Sequence, residues 1–72
     1  MSARPARLRL AANVRRQRKL LHLSQEELGA RAGIHRTYIG EIEREGANVT
    51  VDHMQKLADA LGIDVSRLLS ED

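Results

Sequence analysis

Apolar residues recur along this chain at helical intervals, and no stretch alternates as a half-buried strand would. Leu10, Val14, Arg18 and Leu21 fall on one stripe at spacings of four, four and three, which predicts a first helix from about Arg7 to Leu21. Leu28 and Ala32 before Gly33, then Ile34, Ile39 and Ile42 after it, predict two short helices, Gln25 to Ala32 and about Arg36 to Arg44. Val51, Met54, Leu57, Ala58 and Leu61 face inward from a fourth helix, and a short fifth ends near Leu69. The expected fold is all-α, a compact five-helix bundle whose core must be aliphatic because Tyr38 is the one aromatic residue.

Polar residues and glycines punctuate this pattern. Ser24 with Glu27 three residues on forms a capping box that starts the second helix. Gly33 supplies the left-handed backbone a sharp corner needs, and small Gly29 stands where the two helices would cross. The pair therefore reads as a helix-turn-helix, with its second member presented outward. His22 follows the first helix at a left-handed capping position, Gly46 turns the loop after the third, Thr50 and Gly62 bound the fourth, and Asp64 caps the last. Two residues sit oddly in the scheme. Arg18 puts a guanidinium on an inward stripe, where it needs a partner. Gly40 lies inside a helix, at a cost of about 1 kcal/mol against alanine; either a short, well-buttressed helix tolerates it, or another surface approaches the backbone there.

Net charge is +2, but its distribution is lopsided. Met1 to Leu20 carries seven basic residues and no acid, while Leu21 to Asp72 carries five basic and ten acidic. Such a cationic block suits a polyanion such as nucleic acid, and equally suits a solvated helix face behind a disordered basic leader. Residues 1–7 are expected to be a flexible basic arm and residues 8–72 the folded domain. At 72 residues a single core is barely self-sufficient, so oligomerisation is expected. With no cysteine there are no disulfides, thiolate metal sites or cysteine nucleophile, and no apolar run approaches the ~18 residues of a membrane span. The composition is that of a soluble, cytoplasmic protein.

The segments Leu23-Ser24-Gln25-Glu26-Glu27-Leu28, Ala32-Gly33-Ile34, Ile39, Ile42-Glu43-Arg44 and Leu57-Ala58-Asp59-Ala60-Leu61-Gly62-Ile63 resemble the Cro/lambda-repressor-like helix-turn-helix family, also called the xenobiotic-response-element type. The resemblance spans about Leu10 to Leu69. His35-Arg36-Thr37-Tyr38-Ile39 and the Asn48-Val49-Thr50 loop look most like the controller proteins of restriction-modification systems. The chain departs from the family at His22, Gln17 and Gly29, and at Glu45, where the family often has glycine.

The resemblance implies a third helix that enters the major groove of double-stranded DNA. Arg36 would then read a base, its planar fork matching guanine O6 and N7, with Thr37, Tyr38 and Glu41 on the same helix as further base contacts. Gln25, at a helix N-terminus, and Asn48 would hold phosphates. Arg4, Arg7 and Arg9 are candidates for further phosphate or minor-groove contacts. Arg18 and Glu43 are implied to form a partly buried ion pair, which answers the inward guanidinium. A reader of this size calls for a two-fold dimer, with Ile63, Val65, Leu68 and Leu69 as the expected interface. The partners implied are DNA, a second copy of the chain and, for a regulator, RNA polymerase; no cofactor or metal is expected.

An enzyme is disfavoured by the inventory, because His22, His35 and His53 are dispersed and there is no Gly-rich phosphate loop. The stronger rival is an antitoxin-type protein-binding module that also represses its own operon. Such proteins usually carry an extra segment to wrap the toxin; with seven residues before Leu8 and none after Asp72, this reading is expected to be the lesser one. A homodimeric, DNA-binding transcription regulator, repressor or controller, is the expectation.

Overall fold

The computed structural model describes residues 4–71. Four α-helices, α1 (Ala6–Leu20), α2 (Gln25–Ala32), α3 (Arg36–Glu45) and α4 (Val51–Leu61), are followed by a 3₁₀ helix, Val65–Leu69. The expected fifth α-helix is thus a five-residue 3₁₀ turn, too short to settle into α geometry, while the all-α class holds.

Local chemistry sets the boundaries. The Ser24 hydroxyl accepts from the Glu27 backbone N–H at 3.0 Å, and Glu27 Oε1 accepts in return from the Ser24 N–H at 2.8 Å. Hydrogen bonding to the carboxylate from the Ser24 backbone, and then from its side chain, holds the Glu27 carboxyl below its ordinary range. Gly33, Gly46 and Gly62 all adopt left-handed backbone after their helices, and His22 does so at φ 58°. His35 caps α3 through Nδ1, which accepts from the Thr37 N–H at 3.0 Å. Thr50 caps α4, and Asp64 caps the 3₁₀ helix, where bonding from Ser66 lowers its pKa.

Around these stops the helices close on a core of Leu10, Val14, Leu28, Ile39, Ile42, Leu57, Leu61 and Leu68. Gly29 lets α2 and α3 cross closely, since a Cβ there would run into the Ile34 carbonyl. Three residues expected to face inward or outward behave otherwise. Leu21 is 45% exposed, because α1 ends one residue earlier and Leu23 takes the core position after the turn. Val51 is 73% exposed, one turn ahead of Met54, which is itself only half-buried. Leu68, expected at a dimer interface, has no exposed surface and belongs to the core of the single chain.

One buried polar residue escaped the apolar pattern. Asn13, on the inward arc beside Val14, donates from Nδ2 to the Leu68 carbonyl at 2.9 Å and the Ser70 carbonyl at 2.8 Å. Its Oδ1 accepts from Arg16 at 3.0 Å, so every polar atom of the buried amide is partnered and the 3₁₀ helix is fastened to α1. The expected arm is shorter than residues 1–7: residues 1–3 lie outside those described, and Ala6 and Arg7 already belong to α1. Arg4 and Arg9 turn back to Glu71, at 3.8 and 3.6 Å.

The inward guanidinium finds its partner. Arg18 Nε lies 2.7 Å from Glu43 Oε2 and Nη2 lies 2.9 Å from Oε1, while Nη1 donates to the Leu23 carbonyl at 2.7 Å. The side chains are 11% and 4% exposed, and bonding to Glu43 makes the Arg18 guanidinium harder still to deprotonate. Such a two-pronged pair, clamping α1 to the end of α3, is strong chiefly in what its disruption costs. Glu43→Ala should lose roughly 3 to 5 kcal/mol of stability in urea unfolding by leaving Arg18 buried and unpaired. A loss below about 1 kcal/mol would reduce the pair to an ordinary surface contact.

Candidate nucleic-acid interface

Helix α3 has a back and a front. Ile39 and Ile42 are completely buried and lock its back to the core, whereas Arg36, Thr37 and Glu41 are exposed on the front. The His35 cap fixes the first turn, so the Arg36 and Thr37 side chains leave a rigid helix start. Arg36 Nη1 lies 3.7 Å from Glu26 Oε2 on α2, with the two side chains 64% and 74% exposed. So solvated a pair is worth at most about 1 kcal/mol, and Arg36 surrenders little by leaving it for another acceptor.

Tyr38 is placed differently from the three exposed residues. Its hydroxyl donates to the Asn48 carbonyl at 2.7 Å, and its half-buried ring meets His53 edge-on at 5.2 Å. The phenol therefore ties α3 to the following loop and to α4. Asn48 is exposed on that loop, with its carbonyl engaged by Tyr38 and its side chain available. Gly46, just before it, is packed so closely on α1 that a Cβ would run into the Arg7 carbonyl, which fixes where the loop leaves α3.

Gln25 sits at the start of α2, where unpaired N–H groups favour an anion. Its Nε2 donates to Glu43 Oε1 at 3.2 Å, the same oxygen that Arg18 engages. The ion pair consequently orients the glutamine amide as well as clamping two helices. Gln25 lies across Gly40: a Cβ built there would stand 3.4 Å from Gln25 Oε1, an ordinary contact with a movable side chain. Steric crowding inside the chain is thus not the reason for glycine at position 40. Arg15, Arg18, Gln25, Gly40, Glu43 and Arg44 line one open cleft of about 380 Å³.

The candidates Gln25, Arg36 and Asn48 line three separate depressions. Gln25 and Gly40 share a cleft, Arg36 stands beside Glu26 at the opposite end of α3's front, and Asn48 lies past the helix C-terminus. Arg18 and Glu43 join α1 to the end of α3. No described helix is long and apolar enough to cross a membrane.

Comparison with known proteins agrees with this geometry. The helix-turn-helix family model matches residues 14–68. The chain is 49% identical over 61 residues to the control protein C.SmaI of Serratia marcescens, covering 85% of this chain and 73% of that one. Among solved structures it resembles the restriction-modification controller C.AhdI from Aeromonas hydrophila, with a TM-score of 0.82 and 35% identity over 86% of this chain and 94% of that one. It also resembles the P22 c2 repressor, solved with a synthetic operator, at a TM-score of 0.79 and 27% identity, covering 88% and 96% of the two chains. With these likenesses spread over its core, its corner and its outward helix, the chain belongs to the helix-turn-helix family of DNA-binding regulators, of the xenobiotic-response-element type.

Proposed function

We propose that this protein is a homodimeric transcription regulator of the restriction-modification controller kind, binding inverted-repeat operator DNA with α3 in the major groove. The observation that carries the reading is the division of α3 into a core-locked back and an exposed, rigidly capped front. Arg36, Thr37 and Glu41 reach base edges, and Gln25 and Asn48 hold phosphates on either side. Tyr38 braces the loop that carries Asn48 and leaves the reading of bases to its neighbours. The resemblance to the control protein C.SmaI and to C.AhdI supports the controller assignment.

A second copy of the chain supplies the other half of the site. Ile63, Val65 and Leu69 remain half-buried in and just before the 3₁₀ helix, and we assign them to the dimer contact without Leu68. Two-fold symmetry then places half-sites about one helical turn, ~34 Å, apart. RNA polymerase is the further partner through which such a regulator acts, in the cytoplasm.

Arg36→Ala should relax preference at one base pair of each half-site by about 1 to 3 kcal/mol in competition binding. Uniform weakening on all duplexes, with preference intact, would show Arg36 to be a phosphate contact. Gly40→Ala separates folding from binding. It should raise stability by up to about 1 kcal/mol through helix propensity, yet weaken operator binding because a methyl group blocks close approach of the DNA backbone. Unchanged affinity in that variant would remove Gly40 from the interface.

A further inference from the structure

Most of the cationic block at the start of the chain is already spoken for. Arg4 and Arg9 turn to Glu71, Arg16 donates to Asn13, and Arg18 is held by Glu43. Arg15 and Lys19 are different. Both are exposed on α1, and among the described residues neither side chain makes a hydrogen bond or an ion pair. They stand four residues apart on one helix, an arrangement that like charges disfavour. The helix dipole favours Lys19 in the last turn but falls off before Arg15. Among the described residues, no acidic side chain pairs with Arg15.

The surroundings of Arg15 point outward to an anion. It lines the cleft shared with Gln25 and Gly40, so it faces the candidate phosphate contact on α2 from across the cleft. The acid in that cleft, Glu43, is engaged on both oxygens by Arg18. A second shallow groove along α1 holds Arg15 and Lys19 together, with Arg4, Arg16 and Arg44 also on its border beside the paired Glu43. The result is a positive strip leading away from Gln25.

We propose that the outer face of α1 is a second phosphate-binding strip, in which Arg15 and Lys19 follow the DNA backbone beyond the phosphate held at Gln25. The strip rests on the DNA-binding reading and extends its footprint past α3. It also moves the cationic contact from the N-terminal arm, whose Arg4 is directed to Glu71, to a rigid helix.

Counterion release provides the test. Binding to a mixed-sequence duplex would be measured over a range of salt for the wild type, Arg15→Gln, Lys19→Gln, their double variant and Lys56→Gln, an exposed cation on α4 that borders neither groove. Each strip variant should flatten the slope of log K against log salt by about 0.9, and the double variant by about twice that. Lys56→Gln should leave the slope unchanged, and thermal melts of all four should overlay. Slopes equal to the wild type in the strip variants, or an equal flattening by Lys56→Gln, would overturn the strip alone. A wild type that binds no duplex would overturn the DNA-binding reading and the strip together.

Discussion

The Arg18–Glu43 ion pair is the constraint on which the presented surface depends. It joins α1 to the last turns of α3, it satisfies the Leu23 carbonyl where the chain re-enters the core, and it fixes the Gln25 amide through a shared carboxylate oxygen. Two ions this well buried add little stability over an apolar alternative, but they specify one arrangement of three elements. The pair is also electrostatically quiet from outside. By neutralising its own acid, it leaves the cleft beside it with the positive character of Arg15 and the helix start at Gln25.

Rigidity at the back of α3 is what makes its front useful. Ile39 and Ile42 are fully buried, Tyr38 bonds to the loop, and Gly46 sets the exit against α1. With three anchors on one short helix, the backbone that carries the exposed side chains need not be ordered when a partner arrives, which limits the entropy lost on binding. The loop beyond is drawn into the same frame, because the phenol that braces it stands one residue from a core isoleucine.

Much of this organisation is legible in the residues. Capping boxes and left-handed glycines act over three or four residues, so Ser24, Gly33, Thr50 and Gly62 disclose helix limits without any knowledge of packing. His22 is readable for the same local reason. The inward position of Arg18 announced a missing partner, although Glu43 came from the family resemblance and lies 25 residues away. What stayed hidden depends on distant chain. Asn13 looks like an ordinary helix polar until the 3₁₀ helix brings two carbonyls to it. Leu68 and Val51 exchange their expected environments because periodicity tells which face a residue shares, not which neighbour covers it. Tyr38 could not be separated from Arg36 and Thr37 by spacing, since only the folded loop puts the Asn48 carbonyl within reach of its hydroxyl.

Family membership and fold set the frame, and the proposed reading of DNA by α3 is what gives it meaning. Selection of bound duplexes from a random pool would report symmetry, spacing and base preference together. A homodimer that reads DNA through Arg36 should enrich an inverted repeat whose half-site centres lie about one helical turn apart, each with a guanine at a strongly preferred position. Enrichment of a single asymmetric site, or no enrichment over the starting pool, would contradict it.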